Sequence, residues 1–301
     1  MAGGIGRFMR FTVVVITRDR RSSLLAVLAR TRDIPERPPV IVVDNASRDG
    51  TPEAVAELFP EIELIRSARN LGAVARNLAA DHVRTPYAAF WDDDTWWEPD
   101  APSRAAGLLD AHPRLAVVTG RILVDPGGRE DPIVPELRHS PVSGPPWMPG
   151  PALGSFLAGA SMVRAAAFRE AGGFCPRLWL GGEEELLSAD LMTLGWQLCF
   201  AEDVVVPHEP SRLREPHLRR RHGIRNPLWF TWLRRPLPAA VRRTAGLLRD
   251  LPRDRVTAAA LAEAAAGLGW VARERRTLPP DVEHRLRSLE ASQRASRARR
   301  Y

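Results

Sequence analysis

The chain contains no lysine; all 43 basic residues among its 301 are arginine. Schiff-base chemistry and a P-loop lysine are therefore both excluded. Cysteine is nearly absent. Cys175 and Cys199 are the only two; they have no metal-ligand spacing and fit a reducing compartment. No apolar run reaches the ~18 residues that cross a bilayer. The first ten residues carry no apolar core followed by a small-residue cleavage site, so a cytoplasmic protein is expected. A glycine-rich phosphate loop after the first strand is missing too. Gly3-Gly4-Ile5-Gly6 precedes that strand, which rules out a dinucleotide fingerprint and predicts a frayed terminus.

Apolar residues make up 45% of the chain, enough for a sizeable core in one large domain or a domain with an appendage. Charge is unevenly spread. Residues 212–301 hold 22 arginines against 8 acids, and residues 1–211 hold 21 against 28. An acidic body with a basic tail suggests contact with an anionic surface, lipid or nucleic acid, or else a solvated helical face. The division predicts a domain over 1–211 and a basic helical region over 212–301, with residues 288–301 disordered.

Hydrophobic periodicity gives the order of elements. Phe11 to Ile16, Val40 to Val43, Ile62 to Ile65 and Tyr87 to Trp91 read as buried strands, with helices between them. Thr51 is the expected cap of the second helix, with Pro52 at its first position. Leu115 to Val124 reads as one or two strands broken at Gly120-Arg121. The Pro- and Gly-rich stretch 125–151 is expected to be a long loop over the site. Gln197 to Phe200 and Val204 to Val206 are short strands, and Ala239 to Arg249 and Thr257 to Arg273 are amphipathic helices. Strand–helix alternation of this kind predicts an open, mostly parallel α/β sheet flanked by helices, with a C-terminal α-helical extension.

In such sheets ligands bind beyond the carboxyl ends of the strands. Asp19, Asp44 and Asp92-Asp93-Asp94 all fall there. Adjacent carboxylates repel, and burying them is costly unless something positive pairs with them. A divalent cation that grips a diphosphate meets that need, since Mg²⁺ is commonly held by one or two carboxylates plus substrate phosphates; a solvated acidic turn is the plainer alternative. A second acidic group, Glu183-Glu184-Glu185, opens a helix. Its dipole favours acids there by ~0.3–1 kcal/mol each. Successive residues point ~100° apart, so the three cannot all face one site. His208, after a short strand, is either a metal ligand or a neutral core residue.

Taken in order, these pieces resemble the inverting glycosyltransferases of family 2, which have the GT-A fold. The series is Thr17 and Arg20; Asp44-Asn45-Ala46-Ser47 with Asp49-Gly50-Thr51; Arg69-Asn70-Leu71-Gly72 with Arg76-Asn77; Asp92-Asp93-Asp94; Gly159-Ala160-Ser161-Met162; Gly181-Gly182-Glu183-Glu184; His208; and Arg225-Asn226. The resemblance covers roughly residues 10–235. It implies Mn²⁺ or Mg²⁺ held by Asp94, Asp92 and His208. It also implies a nucleotide-diphosphate sugar, UDP- or dTDP-linked, bound by Thr17, Arg20, Asp44, Asn45, Asn70, Arg76, Asn77, Asp92 and Asp93. The base lies among Glu183, Glu184 and Glu185, with Glu184 at the family's aspartate position. The implied acceptor is a glycan or lipid-linked hydroxyl, and the basic region is expected to touch the inner face of the membrane, pack on the core or dimerise. No nucleic acid is implied. Two other functions compete: a non-catalytic nucleotide-sugar or glycan-binding protein on the same fold, and a nucleotidyltransferase, which would want the missing glycine loop and lysine.

Overall fold

The structure is a computed structural model that describes residues 9–210 and 216–295. The expected frayed Gly3–Gly6 lies outside them, as do residues 296–301. The first half alternates strands and helices: β1 (Phe11–Thr17), α1 (Arg21–Thr31), β2 (Val40–Asp44), α2 (Thr51–Leu58), β3 (Glu63–Arg66), a 3-10 turn (Gly72–Ala75), α3 (Arg76–His82), β4 (Tyr87–Asp92) and α4 (Ala101–Ala111). There follow β5 (Leu115–Val124), β6 (Arg129–Glu130), α5 (Val134–Arg138), β7 (Ala160–Arg164), α6 (Ala165–Glu170), α7 (Glu183–Thr193) and β8 (Gln197–His208). Five helices end the chain: α8 (Pro216–Arg234), α9 (Leu237–Asp250), α10 (Arg255–Ala266), α11 (Leu268–Glu274) and α12 (Pro280–Ala295).

The strands form one sheet in the order β3-β2-β1-β4-β7-β5, with β8 on the far edge of β5 and β6 beside its end. β1, β2, β3 and β4 pair in parallel, as do β5 and β8, while β7 runs antiparallel between β4 and β5. Register then decides where the chemistry lies. Thr17 pairs with Asp44 and Ile16 with Asp92, so three strand ends stand level. His208 ends β8 on that same edge and bridges to Thr95. The β-branched runs of β1 and β2 are buried on both faces, as a parallel sheet between helices requires.

Several expected boundaries move. β5 is one strand with an irregular register at Gly120/Arg121, and β8 is one strand from 197 to 208. Thr51 is the first residue of α2 and Gly50 is its N-cap; Asp49, one residue earlier, accepts from the Thr51 amide and hydroxyl. The stretch 125–151 does not lie over the site. Only its β5–β6 hairpin stands there, with the Asp125 amide donating to the His208 carbonyl at 2.9 Å. The rest follows the outer edge of β8: Arg138 pairs with Glu202, and the Phe200 amide donates to the Pro151 carbonyl. An uncovered edge of unpaired amides is what this strap removes.

The helix expected over 257–273 is divided at Gly267. A β-carbon there would lie 2.5 Å from the Trp229 indole nitrogen, which donates to the Ala264 carbonyl. Residues 288–295, expected to be disordered, continue α12. The terminal helices bury Trp229, Phe230, Leu233, Trp270, Val282 and Leu286 in the same core as Phe11, Phe90 and Leu198. They are also tied to α7 by Arg234–Asp190 and Arg243–Glu185. No helix among the described residues is long and apolar enough to cross a membrane.

Candidate active site

The end of β4 delivers three aspartates in two directions. Asp93 is 7% exposed. It accepts from the Thr17 hydroxyl at 2.9 Å and from Arg20 at 3.0 Å. Asp94 accepts from the same guanidinium nitrogen at 2.9 Å through Oδ2, while its Oδ1 lies 3.8 Å from His208 Nε2. Burial pushes the Asp93 carboxyl up to about 7, even though Arg20 and Thr17 pull it down. Asp92 turns the other way, to a close ion pair with buried Arg76.

Asp92 also fixes the passage into β7. Its amide donates to Thr95 Oγ1 at 2.8 Å, and that hydroxyl donates to the Gly159 carbonyl at 3.0 Å. A β-carbon on Gly159 would stand 2.3 Å from Asp92 Oδ2, so only glycine lets the carboxylate lie there. One residue earlier, the Ala158 amide donates to Glu184 Oε1 at 3.1 Å. Ala158 and Gly159 therefore lie between Glu184 and Asp92.

The three glutamates of α7 separate as the helical angle requires. Glu185 points to the terminal helices and pairs with Arg243 at 3.2 Å. Glu183 is 2% exposed, with Oε2 unpartnered. Glu184 is half-buried. Both carboxyls are pushed above the ordinary glutamate value, chiefly by burial. For Glu183 the charge of Glu184 adds to this, and for Glu184 that of Asp92 does. Arg76 opposes the shift in both, so one buried cation serves both groups.

The ends of β1 and β2 are bounded mostly by backbone turns. Asp44 is buried; its Oδ2 accepts from the Ser47 amide and its Oδ1 has no partner. Asn45 and Asn70 are turned to the chain itself. Asn45 donates to the Gly72 carbonyl and accepts from the Leu71 amide, and Asn70 accepts from the Gly72 amide. Both amide atoms of Asn77 are engaged by the Phe174 backbone, at 2.7 and 2.9 Å, which points this side chain away from the strand ends. Asp19, exposed, joins the first two loops by accepting from the Arg48 amide.

The structure thus gathers Thr17, Arg20, Asp93, Asp94 and His208 in one group and Arg76, Asp92, Glu183 and Glu184 in another. Among the described residues no set of three or more His, Cys, Asp or Glu side chains is arranged to hold a metal. Asp92, expected to join Asp94 and His208, is held by Arg76 instead. Asp94 Oδ1 and His208 Nε2 do fit an ion whose remaining ligands come from substrate phosphates. Sequence reasoning missed Thr95, although a hydroxyl directly after three acids hints at a local turn. It also missed Arg243, for which the sequence carries no signal.

Known proteins share the family and the fold. The chain is 28% identical over 253 residues to the N-acetylglucosaminyl-diphospho-decaprenol L-rhamnosyltransferase of Mycobacterium tuberculosis, covering 70% of this chain and 80% of that one. Its fold is similar to that of a mannosyltransferase from Pyrobaculum calidifontis in complex with GDP-Man and Mn²⁺ (TM-score 0.58, 20% identity, 94% of this chain and 75% of that one). It is likewise similar to S. aureus TarS 1-349 in complex with UDP (TM-score 0.58, 16% identity, 96% and 92%). Residues 12–170 match Glycosyl transferase family 2, more than half of the chain, and the protein is a glycosyltransferase of that family with a GT-A fold.

Proposed function

We propose that the protein transfers a sugar, with inversion, from a nucleoside-diphosphate donor to a hydroxyl of a lipid-linked acceptor. The observation that carries this is the turn at Ala158 and Gly159: the Ala158 amide donates to Glu184 Oε1 at 3.1 Å, and Gly159 lies against Asp92, the residue that ends β4 just before Asp93 and Asp94. The proton acceptor Glu184 and the strand end that carries Asp94 thus share one wall. The relative's activity makes an L-rhamnosyl donor and a diphospho-polyprenol acceptor the first pair to test.

The donor's base and ribose lie over the ends of β1 and β2, where the unpartnered Asp44 Oδ1 accepts a hydrogen bond from the nucleotide. Asp94 and His208 hold Mn²⁺ or Mg²⁺. Such an ion, when bound, neutralises charge on the leaving diphosphate. Glu184 takes the proton of the acceptor hydroxyl as it attacks the anomeric carbon, a contribution of about 10²–10⁴-fold. Its raised proton affinity favours that transfer. Glu183, buried beside it, is raised as well, by its burial and by the charge of Glu184. Arg76 fixes Asp92 and limits how far either glutamate is shifted. The basic C-terminal region brings the enzyme to the inner face of the membrane, where a lipid-linked acceptor resides.

Thermal melts with UDP-, dTDP- and GDP-sugars, each with and without Mn²⁺, test donor choice. Transfer to a GlcNAc-diphospho-polyprenol tests the acceptor. Stabilisation by a donor without any turnover would favour a non-catalytic binder and end the proposal.

A further inference from the structure

The outer face of α9 is apolar where the fold offers it no cover. Leu237, Val241 and Leu248 are 60%, 58% and 46% exposed, and Ala245 between them is exposed as well. Steps of four, four and three residues keep the four side chains within an arc of about 80° on a helix. The opposite face is engaged: Ala239 and Ala240 are buried, and Arg243 bonds Glu185 of α7 and Glu290 of α12. Beside the stripe stand exposed Arg242 and Arg249, and exposed Arg253 and Arg255 follow in the turn into α10. Of the two acids nearby, Asp254 is taken by Arg220 and by the Thr257 amide, which leaves Asp250.

We propose that this stripe docks on an anionic lipid bilayer, with Leu237, Val241, Ala245 and Leu248 in the acyl boundary and the arginines among the headgroups. The assignment names the surface behind the lipid-linked acceptor and rests on that proposal. Charge complementarity selects lipid over a second copy of the chain. A twofold contact sets the same patch against itself, so the arginine rim would meet its own like charges. An anionic headgroup layer neutralises that rim instead. Position adds a reason. Arg243, on the inner side of α9, holds Glu185, the neighbour of Glu184. A helix with its side chains is about 10–12 Å across. A bilayer resting on the stripe therefore lies across α9 from Glu185, the residue next to the base on α7.

Co-sedimentation of the full chain with vesicles of phosphatidylcholine alone, or mixed with phosphatidylglycerol, tests this. The wild type should bind the mixed vesicles. The triple variant Leu237→Gln/Val241→Gln/Leu248→Gln should lower the partition coefficient about tenfold or more. Arg242→Gln with Arg249→Gln should lower it by about fivefold per charge, on anionic vesicles only. Donor-induced thermal shifts and transfer to a detergent-dispersed acceptor should stay at wild-type values in all variants, which also verifies folding, while transfer to a vesicle-embedded acceptor falls. The proposal is overturned if the triple variant binds like wild type, if wild type ignores anionic vesicles, or if sedimentation shows a wild-type dimer that the triple variant splits. Wild type active in detergent but unable to bind vesicles would remove the docking surface and leave glycosyl transfer standing. Stripe-dependent vesicle binding without any turnover would do the reverse.

Discussion

The aspartates at the end of β4 and the glutamates at the start of α7 are both acids withdrawn from water, but they are held by different means. Asp93 and Asp94 share the Arg20 guanidinium, and Asp93 accepts from Thr17 besides. Glu184 has one backbone amide, that of Ala158, and Glu183 keeps an oxygen with no partner. Arg76 influences the glutamates only from its pairing with Asp92. A carboxylate fixed by a guanidinium suits a standing charge opposite a cation or diphosphate. A carboxyl that burial leaves short of donors holds its proton more tightly and releases it in step with a nearby reaction. Burial raises Asp93 to about 7 as well, so the contrast lies in the partners alone: a shared guanidinium supports charge for the first group, and the lack of donors supports proton transfer for the second.

The sharpest way to break that division is Glu184→Gln. Transfer should fall about 10²–10⁴-fold, with donor affinity unchanged in a melting assay. Wild-type kcat in this variant would take the base role from Glu184. Asp94→Ala should act on the other side. It removes one partner of Arg20 and one of the two atoms facing a metal, and should cost about 2 kcal/mol of donor binding, about thirtyfold in Kd. The Mn²⁺-dependent part of donor-induced stabilisation should vanish. Calorimetric titration with the nucleotide sugar reads both, and an unchanged metal response would assign the ion elsewhere.

Glu183→Gln probes stability. The folded state raises the Glu183 carboxyl above its ordinary 4.5. The folded protein therefore binds a proton that the unfolded chain releases. Stability from this group is complete below pH 4.5 and is lost as pH rises through the folded-state value. Wild type should thus lose about 1–2 kcal/mol more across that rise than the amide variant, in which Glu184 alone of the pair still titrates, within the limit of about 1.4 kcal/mol per pH unit. Melting curves at pH 5 and pH 8 measure this, and parallel losses in the two proteins would contradict it.

The aspartate group was far more legible in the sequence than the surroundings of the glutamates. Phe11 to Ile16 and Tyr87 to Trp91 announce their strands by composition, and an acid directly after a parallel strand has only one edge to occupy. His208 needed one more step, the pairing of β8 with β5, because its strand is interrupted by the polar Glu202-Asp203. Around α7, the deciding contacts cross long separations. Arg243 selects Glu185 from a distance of 58 residues, and nothing local marks either partner. Asn77 follows Arg76 on a short helix and points oppositely, to Phe174, because adjacent residues diverge by ~100°. The strap over 125–151 could not be placed, since glycine and proline mark turns but not which edge a turn serves.

The smallest expected effect belongs to the glycine that lies against Asp92. In Gly159→Ala the new methyl would stand 2.3 Å from Asp92 Oδ2. Only a carboxylate end has to move, and no backbone atom comes that close, so the cost should sit at the low end for overpacking, about 1 kcal/mol, or about 2 °C in Tm. The displaced Asp92 loosens Arg76, the cation that opposes the upward shift of both glutamates. The acid limb of the transfer rate should therefore move to higher pH, while Mn²⁺-dependent donor binding through Asp94 stays within about twofold of wild type. A variant that lost donor binding and left the pH profile alone would place Asp92 with Asp94 and His208, and the two acidic groups would divide at a different residue.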